Sequence, residues 1–369
     1  MKQYITIIAA ITTILPTACI EDINYKGPDG DRMLIVNCIA EDGSVPVIKM
    51  SNSAFFLDSY YTDNVLNSGI DVNVSINGQM KTASYDDKLK GYVDGRVLNQ
   101  GDIITVAATH RNYGTVEATD TVPYVQGFTT HGYTKAYVPG KTLREMFGNK
   151  NRGYNDSSVD STWVVDIEIE GHADRPDFYI LTIEPTMTWY RYNPMEARYD
   201  TIIDSILYKI PARTNILLGK ANAATTVLDD AGIDTKLEYG KQFFVFDDLY
   251  LKEDNKVSFE MLMQKPDMMA YILHYNKDSV ITDTVSFSIA HWIKDKVKYK
   301  ANIKLYTLSS TYYYYYKSAK DFSSSGMTLM SEPVTIIHNV KGGAGILATY
   351  ASYSPSISYK YRNWKKRKQ

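Results

Sequence analysis

Short segments in which apolar and polar residues alternate recur along this chain of 369 residues. The clearest is IDVNVSINGQM, residues 70–80, where four apolar residues from Ile70 to Ile76 alternate with polar ones. A period of two places one face of a strand in a core and the other in water. Asn77-Gly78 then supplies the two positive-φ residues of a type I′ turn. The segment is therefore predicted to be a strand that continues into a hairpin.

Strand patterns of this kind follow one another at intervals of about ten residues after Met33, and no long helical pattern interrupts them. GDIITVAAT and GTVEATDTV, joined by HRNYG, form a second predicted hairpin. Several short strands at this spacing are typical of a sandwich of about 100 residues. We therefore predict an N-terminal immunoglobulin-like β-sandwich over residues 33–125.

A second, larger β-sandwich domain is predicted over residues 126–360, because Pro123 and Gly127 mark a boundary and strand patterns return later. Residues 123–160 lose the alternation, and TLREMFGN within them has the pattern of a short helix. The later strand patterns are TWVVDIEIEG, FYILTIEP, FFVFDDLYL, KVSFEMLMQ, ITDTVSFSIAHWI and YKANIKLYTLS. Residues 361–369 form a basic tail, which we interpret as a solvated chain end.

The segment SSTYYYYYKSAKDFSSS departs from the strand pattern. Tyrosine favours strands by propensity. However, Ser309 or Ser310 can act as a helix N-cap, and Lys317 and Lys320 would lie near the helix C-terminus. We therefore predict a short Tyr-rich helix here.

The N-terminus MKQYITIIAAITTILPTAC has the features of a secretory signal peptide: Lys2, an apolar stretch and small residues before a cysteine. The apolar stretch is shorter than the roughly 20 residues that a membrane-spanning helix needs. Three interpretations of Cys19 compete: ordinary cleavage near Ala18, a bacterial lipobox in which Cys19 is acylated, and a buried core strand.

The lipobox is favoured by the small residues Thr17 and Ala18 directly before Cys19, although Pro16 stands where the usual pattern has Leu. We therefore expect a lipoprotein signal peptide over residues 1–18, a lipid anchor at Cys19 and a polar tether over residues 19–32.

Charge and cysteine content exclude some partners. Lys and Arg total 40 and Asp and Glu total 42, so the formal net charge is −2. This balance provides no general attraction to nucleic acid, and no nucleic-acid partner is expected. Cys38 is the only cysteine besides Cys19. It lies in an apolar strand, where a cysteine is usually an inert hydrophobic residue.

No catalytic motif is present: the chain has no HExxH, GxSxG, P-loop or CxxC sequence. The six histidines include no close pair at metal-ligand spacing. Asp166, Glu168 and Glu170 share one strand face, which we interpret as an ordinary solvated face. A hydrolase that uses these carboxylates is the alternative. We expect no enzymatic activity, no metal and no cofactor.

Aromatic residues are the remaining candidates for binding, since the chain has 31 Tyr, 11 Phe and 4 Trp. Tyrosine can stack and donate a hydrogen bond, and it is common in binding surfaces. Packing in a core or on a sheet is the alternative for each cluster. The candidate binding aromatics are Trp189, Tyr190, Tyr192, Tyr313 and Tyr316.

Three segments of the C-terminal third occur in a recognisable order: FFVFDDLYLKEDNKVSFEML, IKLYTLSSTYYYYYKSAKDF and SEPVTIIHNVKGGAGILATYASYS. Together they resemble a Bacteroidota lipoprotein family catalogued as domain of unknown function 4249. The family's closing pattern is matched here by Pro333, Val334, Asn339, Val340, Gly342, Gly343, Gly345 and Ile346. LIVNCIAEDGSVPVIKMS is similar to the family's opening unit, so the resemblance covers most of residues 19–355.

The glycines of the closing pattern also have a physical interpretation. Gly342, Gly343 and Gly345 allow the backbone to take positive φ or to approach another chain segment closely. No helix N-terminus or Lys-Ser/Thr pair follows, as a phosphate cradle would require, so we predict a tight turn before the final strand.

The resemblance implies an outer-membrane or surface lipoprotein that is often encoded beside a TonB-dependent receptor and assists import of a nutrient, such as a glycan or a peptide. It brings no catalytic residues. Glu21 and Asp22 are similar to the surface-export signal of such lipoproteins, which implies that the folded domains face outward. A cell-surface adhesin or appendage component is the main alternative.

Overall fold

The structure is a computed structural model in which the fold is mainly β, as predicted. It describes residues 32–53, 65–136, 159–169, 171, 175–193, 196, 198–206, 208–209, 217–220, 242–251, 256–264, 298–324 and 335–360. Within these ranges, no helix has both the length and the apolar character needed to cross a membrane.

Nineteen strands are present in these ranges. The first nine are β1 (Leu34–Glu41), β2 (Lys49–Asn52), β3 (Ile70–Ile76), β4 (Gln79–Thr82), β5 (Ser84–Asp86), β6 (Gly91–Val93), β7 (Ile103–His110), β8 (Gly114–Thr121) and β9 (Phe128–Ala136). The others are β10 (Val159–Ile169), β11 (Phe178–Asn193), β12 (Arg198–Ser205), β13 (Tyr208–Lys209), β14 (Leu217–Lys220), β15 (Gln242–Asp247), β16 (Lys256–Gln264), β17 (Lys298–Leu308), β18 (Ala344–Tyr353) and β19 (Ser356–Lys360). Helix α1 spans Ser310–Ser324, and a 3₁₀ helix spans Asp248–Tyr250.

The largest sheet of the described structure has nine strands. Its order is β14-β15-β11-β17-β18-β1-β2, with β12 paired to β11 and β19 paired to β17. The first small sheet has the order β4-β3-β7-β8, and the second small sheet has the order β13-β16-β10-β9. Strands β5 and β6 form a separate two-stranded sheet.

Both small sheets pack against the same face of the large sheet. The first core joins the first small sheet to β1 and β18 and includes Val36, Cys38, Val72, Val74, Val106, Val116 and Leu347. The second core joins the second small sheet to β11 and β17 and includes Trp163, Val165, Ile167, Leu181, Phe259, Ile303 and Leu305. Two β-sandwiches therefore lie side by side against one shared sheet.

The two ends of the described chain meet in the large sheet. Strands β1 and β18 run parallel, in register from the Ile35–Ala344 pair to the Glu41–Tyr350 pair. The first sandwich therefore contains a strand from near the C-terminus.

Helix α1 covers part of the opposite, outer face of the large sheet, and the predicted Tyr-rich helix is confirmed. Its N-cap is Ser309, whose Oγ accepts a hydrogen bond from Tyr312 N over 3.2 Å. The helix extends to Ser324, so Lys317 and Lys320 precede its last turn. The third core, between α1 and the sheet, includes Tyr312, Tyr313, Tyr315, Tyr316, Phe178, Phe243, Tyr306 and Tyr350.

The predicted hairpins at residues 70–82 and 103–121 are confirmed. Asn77 and Gly78 have φ of 51° and 80°, as a type I′ turn requires. Strand β9, by contrast, lies in a stretch that the sequence indicated to be irregular. It is an edge strand of polar sequence, FTTHGYTKA, and so lacks the apolar alternation that marks a half-buried strand. The segments TLREMFGN and ITDTVSFSIAHWI lie outside the described residues.

Candidate functional site

The predicted lipidation and export residues, Cys19, Glu21 and Asp22, lie outside the described residues. The other sequence candidates fall mostly within them and can be placed.

Three of the five candidate aromatics are buried. Trp189 is 9% exposed in the second core, while Tyr313 and Tyr316 of α1 are 2% and 1% exposed in the third core. Their side chains therefore pack in cores, which is the alternative that the sequence left open for each aromatic cluster. Tyrosine suits this position because its ring packs while its hydroxyl can still find a partner.

Tyr313 of α1 contacts Asp247, which belongs to the Phe-Asp-Asp segment at the end of β15. Its ring stacks on Phe178 with centroids 4.5 Å apart, and its hydroxyl donates to Asp247 Oδ2 over 3.2 Å. Burial, reinforced by Asp247, raises the pKa of Tyr313. Asp247 also caps the 3₁₀ helix by accepting a hydrogen bond from Leu249 N over 3.1 Å. Its contacts are those of a residue that stabilises the fold.

The carboxylates of β10 are not gathered into a site. Asp166 and Glu168 lie on the partly exposed face, and Asp166 Oδ1 accepts a hydrogen bond from Ser258 Oγ over 2.6 Å. Glu170 lies outside the described residues. Among the described side chains, no group of three or more His, Cys, Asp or Glu could hold a metal ion.

Cys38 is buried in the first core and is 2% exposed. Burial, with a smaller contribution from Asp120, raises its pKa to about 12. A thiol in this environment stays protonated at neutral pH and is a poor nucleophile.

The closing glycines bring β18 against its neighbours. Gly342 and Gly345 have φ of 77° and 100°. A Cβ atom would collide with the carbonyl oxygen of Leu34 if it were added at Gly343, and with that of Val36 at Gly345. These positions therefore allow close approach between the start of β18 and β1.

A buried carboxylate joins β8 to the start of α1. Asp120 is 7% exposed, and its Oδ2 accepts a hydrogen bond from Thr349 Oγ1 over 2.8 Å. Side-chain hydrogen bonds from Ser309 and Thr311 also reach it. Burial raises the pKa of Asp120 more than these hydrogen bonds lower it. The acidic group lies beside the positive end of the helix dipole, a favourable arrangement that joins two parts of the fold.

The outer face of the large sheet has a second half that α1 does not cover. Alternate residues of β17 point away from the second core there, and four of them are polar. Lys298 and Lys300 are exposed, while Asn302 and Lys304 are half-buried. We name this surface, with its flanking residues on β11, β12 and β19, the lysine face.

Hydroxyl groups flank the lysines in register. On β11, Thr186 and Thr188 lie opposite Lys300 and Lys298. On the other side, Ser358 of β19 lies opposite Lys300. The lysine face thus comprises Thr182, Glu184, Thr186 and Thr188 of β11, Ile203 and Ser205 of β12, Lys298, Lys300, Asn302 and Lys304 of β17, and Ser356 and Ser358 of β19.

The lysine face has a positive balance of charge. Among the described residues, no ion pair joins Lys298 or Lys300 to a carboxylate. Its acidic residue, Glu184, accepts a hydrogen bond from Asn302 Nδ2 over 3.4 Å. At the border with α1, Lys304 Nζ lies 4.7 Å from the centroid of the Tyr306 ring. Burial lowers the pKa of Lys304.

Two positions that hold candidate aromatics, 190 and 192, follow Thr188 along β11. Positions 190 and 192 of β11 have the same alternation as Thr188, and they pair with Thr201 and Tyr199 of β12. By register they belong to the outer side of the sheet, opposite to Trp189. Of the sequence candidates for binding, positions 190 and 192 are therefore the ones that strand register puts next to the lysine face.

The lysine face lies at the far end of the large sheet from the start of β1. Strand β18 begins beside Ile35 and runs to Tyr353, which pairs with Leu305 of β17. Strand β17 then extends beyond this pair to Lys298. At about 3.3 Å per residue, the path from the start of β1 to Lys298 covers about 50 Å.

The sequence of β17 itself carries a signal for this surface. KYKANIKLYTL was predicted to be a strand, but its alternation of lysine and apolar residues also specifies a basic face. Recognising that this face stays open requires the neighbouring strands, which come from distant parts of the chain.

A family model described as domain of unknown function (DUF4249) matches residues 20–356 of the chain. No curated protein matches it.

Proposed function

The chain belongs to the family described as domain of unknown function 4249, and we propose that it is an outer-membrane lipoprotein, exposed at the cell surface, that serves a TonB-dependent nutrient transporter as a non-enzymatic, substrate-binding partner. The observation that carries this proposal is the lysine face: a polar surface of the large sheet, with exposed Lys298 and Lys300, that lies far from the start of β1.

The N-terminal sequence supports the anchor. Thr17-Ala18-Cys19 ends an apolar stretch, as in a lipobox, and Glu21 and Asp22 follow the cysteine. Two or more acyl chains give a stable anchor, whereas one gives marginal binding. With the predicted tether over residues 19–32 leading into β1, the start of β1 would lie near the bilayer, and Lys298 would lie about 50 Å further along the sheet.

The chemistry of the described side chains supports binding better than catalysis. The groups whose pKa is most strongly raised, such as Cys38, Tyr179, Tyr312 and Tyr316, are buried in packed cores. A catalytic group with a shifted pKa is instead expected in a cleft that substrate can reach.

The anchor and its orientation are tested with the full-length protein in its own cells. Cells are grown with an alkyne-tagged palmitate, and wild type is compared with the Cys19→Ala variant. We expect label in wild type only, and digestion of the protein when protease is added to intact cells. Label in both proteins would contradict lipidation at Cys19. Protection from protease would contradict exposure at the surface.

The partnership is tested by affinity purification from outer membranes solubilised in detergent. We expect a TonB-dependent transporter to be recovered with the wild-type chain. Recovery of appendage subunits in its place would favour an adhesin, and recovery of neither would remove the transporter from the proposal.

A further inference from the structure

We propose that the lysine face binds an anionic polysaccharide, one that carries carboxylate or sulfate groups along its chain. This inference rests on the proposed binding role and specifies the class of substrate.

The charge of the face selects an anion. It carries three lysines, Lys298, Lys300 and Lys304, against one acidic residue, although the whole chain has a net charge of −2. The basic character is therefore local and not a general property of the protein. Lys298 and Lys300 lie two residues apart on one strand, about 7 Å along it, with Lys304 further on the same line. A row of cations suits a ligand with repeated negative charges.

The flanking groups favour a saccharide. Thr188 and Ser358 lie directly opposite lysines of β17, Ser205 lies one strand further out, and Ile203 is 67% exposed at the same surface. Hydroxyl groups can donate and accept hydrogen bonds with sugar hydroxyls. An exposed aliphatic side chain can cover the apolar side of a sugar ring.

The strand pairing disfavours an acidic peptide. An extended peptide commonly binds by adding a strand to a free sheet edge. Strand β17 has no free edge at the lysines, because β11 pairs with it on one side and β19 on the other, from Lys298 to Asn302 in both cases. A ligand must therefore bind through side chains on the face of the sheet.

The position of the face disfavours a lipid surface. It lies about 50 Å along the sheet from the start of β1, where the tether from Cys19 enters. Cations that contact the headgroups of the anchoring membrane would be expected near the tether instead.

The test measures binding of the full-length protein, purified in detergent, to defined probes. The anionic probes are an oligogalacturonate and a chondroitin sulfate oligosaccharide, and a neutral xylo-oligosaccharide of matched length is the control. A poly-glutamate peptide and vesicles containing phosphatidylglycerol represent the other two classes. We expect at least one anionic saccharide to bind more tightly than the neutral one, and the binding to weaken as salt is added.

Charge-removing variants locate the site. The double variant Lys298→Gln/Lys300→Gln should weaken saccharide binding by about tenfold, the effect of losing two charge-assisted contacts. The matched control, Lys49→Gln/Lys88→Gln, removes two exposed lysines from the first sandwich and should bind like wild type. All four positions are exposed, so neither variant should change the urea midpoint.

Several results would overturn the proposal: no binding of either anionic saccharide, equal loss in both double variants, or tighter binding of the peptide or the vesicles. Recovery of the transporter with the Lys298→Gln/Lys300→Gln variant is measured in parallel. Normal recovery with no saccharide binding by wild type would reject the ligand class and leave the transporter partnership standing.

Discussion

Asn339 holds both backbone groups of Leu347 with one side chain. Leu347 N donates to Asn339 Oδ1 over 3.1 Å, and Asn339 Nδ2 donates to Leu347 O over 2.8 Å. The same amide nitrogen donates to Thr119 O over 2.9 Å. Because β18 pairs with β17 only from Tyr350 onward, the amide of Asn339 takes the place of a neighbouring strand at Leu347 and joins β18 to β8.

Replacing Asn339 should therefore lower stability. Asn339→Ala removes three hydrogen bonds, and at about 0.5–1.5 kcal/mol each we expect a loss of about 2–3 kcal/mol in the free energy of unfolding. Urea denaturation measures this loss. Asn112→Ala, at the exposed tip of the β7–β8 hairpin, is the control and should change little. Equal midpoints for the two variants would show that the Asn339 contacts are not stabilising.

Gly345 should not tolerate a side chain. Its φ is 100°, and a Cβ atom would collide with the carbonyl oxygen of Val36. We expect Gly345→Ala to cost about 3 kcal/mol, from backbone strain and separation of β18 from β1. Gly78→Ala is the matched control, since Gly78 has φ of 80° but no atom within 4 Å of an added Cβ. It should cost about 1 kcal/mol, so equal losses in thermal unfolding would argue against crowding at Gly345.

Asp120 should make stability depend on pH in the direction opposite to an exposed, ion-paired carboxylate. Burial raises its pKa in the folded protein, so the folded state binds a proton more readily than the unfolded state. Wild type should therefore gain stability relative to Asp120→Asn as pH falls through this raised pKa, until about pH 4, the unfolded value. Urea midpoints of both proteins from pH 7 to pH 4 test this. A difference that stays constant, or grows in favour of the variant on acidification, would contradict it.

Ser309 and Ser310 should differ in their effect on α1. Ser309 Oγ accepts from Tyr312 N, and its side chain also bonds to Asp120, so Ser309→Ala should cost about 1–2 kcal/mol. Ser310 is exposed within the helix, and Ser310→Ala should be nearly neutral. Ser309→Thr keeps a hydroxyl and should restore most of the loss. The measurement is the free energy of unfolding from urea titrations. A larger loss for Ser310→Ala than for Ser309→Ala would show that Ser309 is not the N-cap.

The local structure followed from the sequence where local chemistry decides it. The alternation from Ile70 to Ile76 and the turn at Asn77-Gly78 predicted a hairpin that the structure contains. The Tyr-rich helix was predicted from the serines that precede it. The first N–H groups of a helix have no partner within the helix, and Ser309 accepts a hydrogen bond from one of them, Tyr312 N.

The shared sheet did not follow from the sequence. Nothing local in LIVNCIAE or AGILATYASY indicates that β1 and β18 pair in parallel, because register between distant strands depends on the whole core. The same limit applies to the candidate site. Trp189 and Tyr190 are neighbours in sequence, but Trp189 is buried in the second core while position 190 belongs to the outer side of the sheet. The lysine face was not predicted. Helix α1 covers only one half of β17, and the sequence of β17 alone does not show which half.

The parallel pairing of β1 with β18 has a consequence for how the protein would fold during the export that we propose. Ile35 reaches its partner Ala344 only after nearly the whole chain has been delivered. Contacts so distant in sequence are slow to form, since closing the intervening loop has a large entropic cost. Until then the inward side of β1, with Val36 and Cys38, lacks part of its cover. A chain that crosses a membrane from its N-terminus would therefore need protection of this strand, by a chaperone or by delayed release, until its last strands arrive.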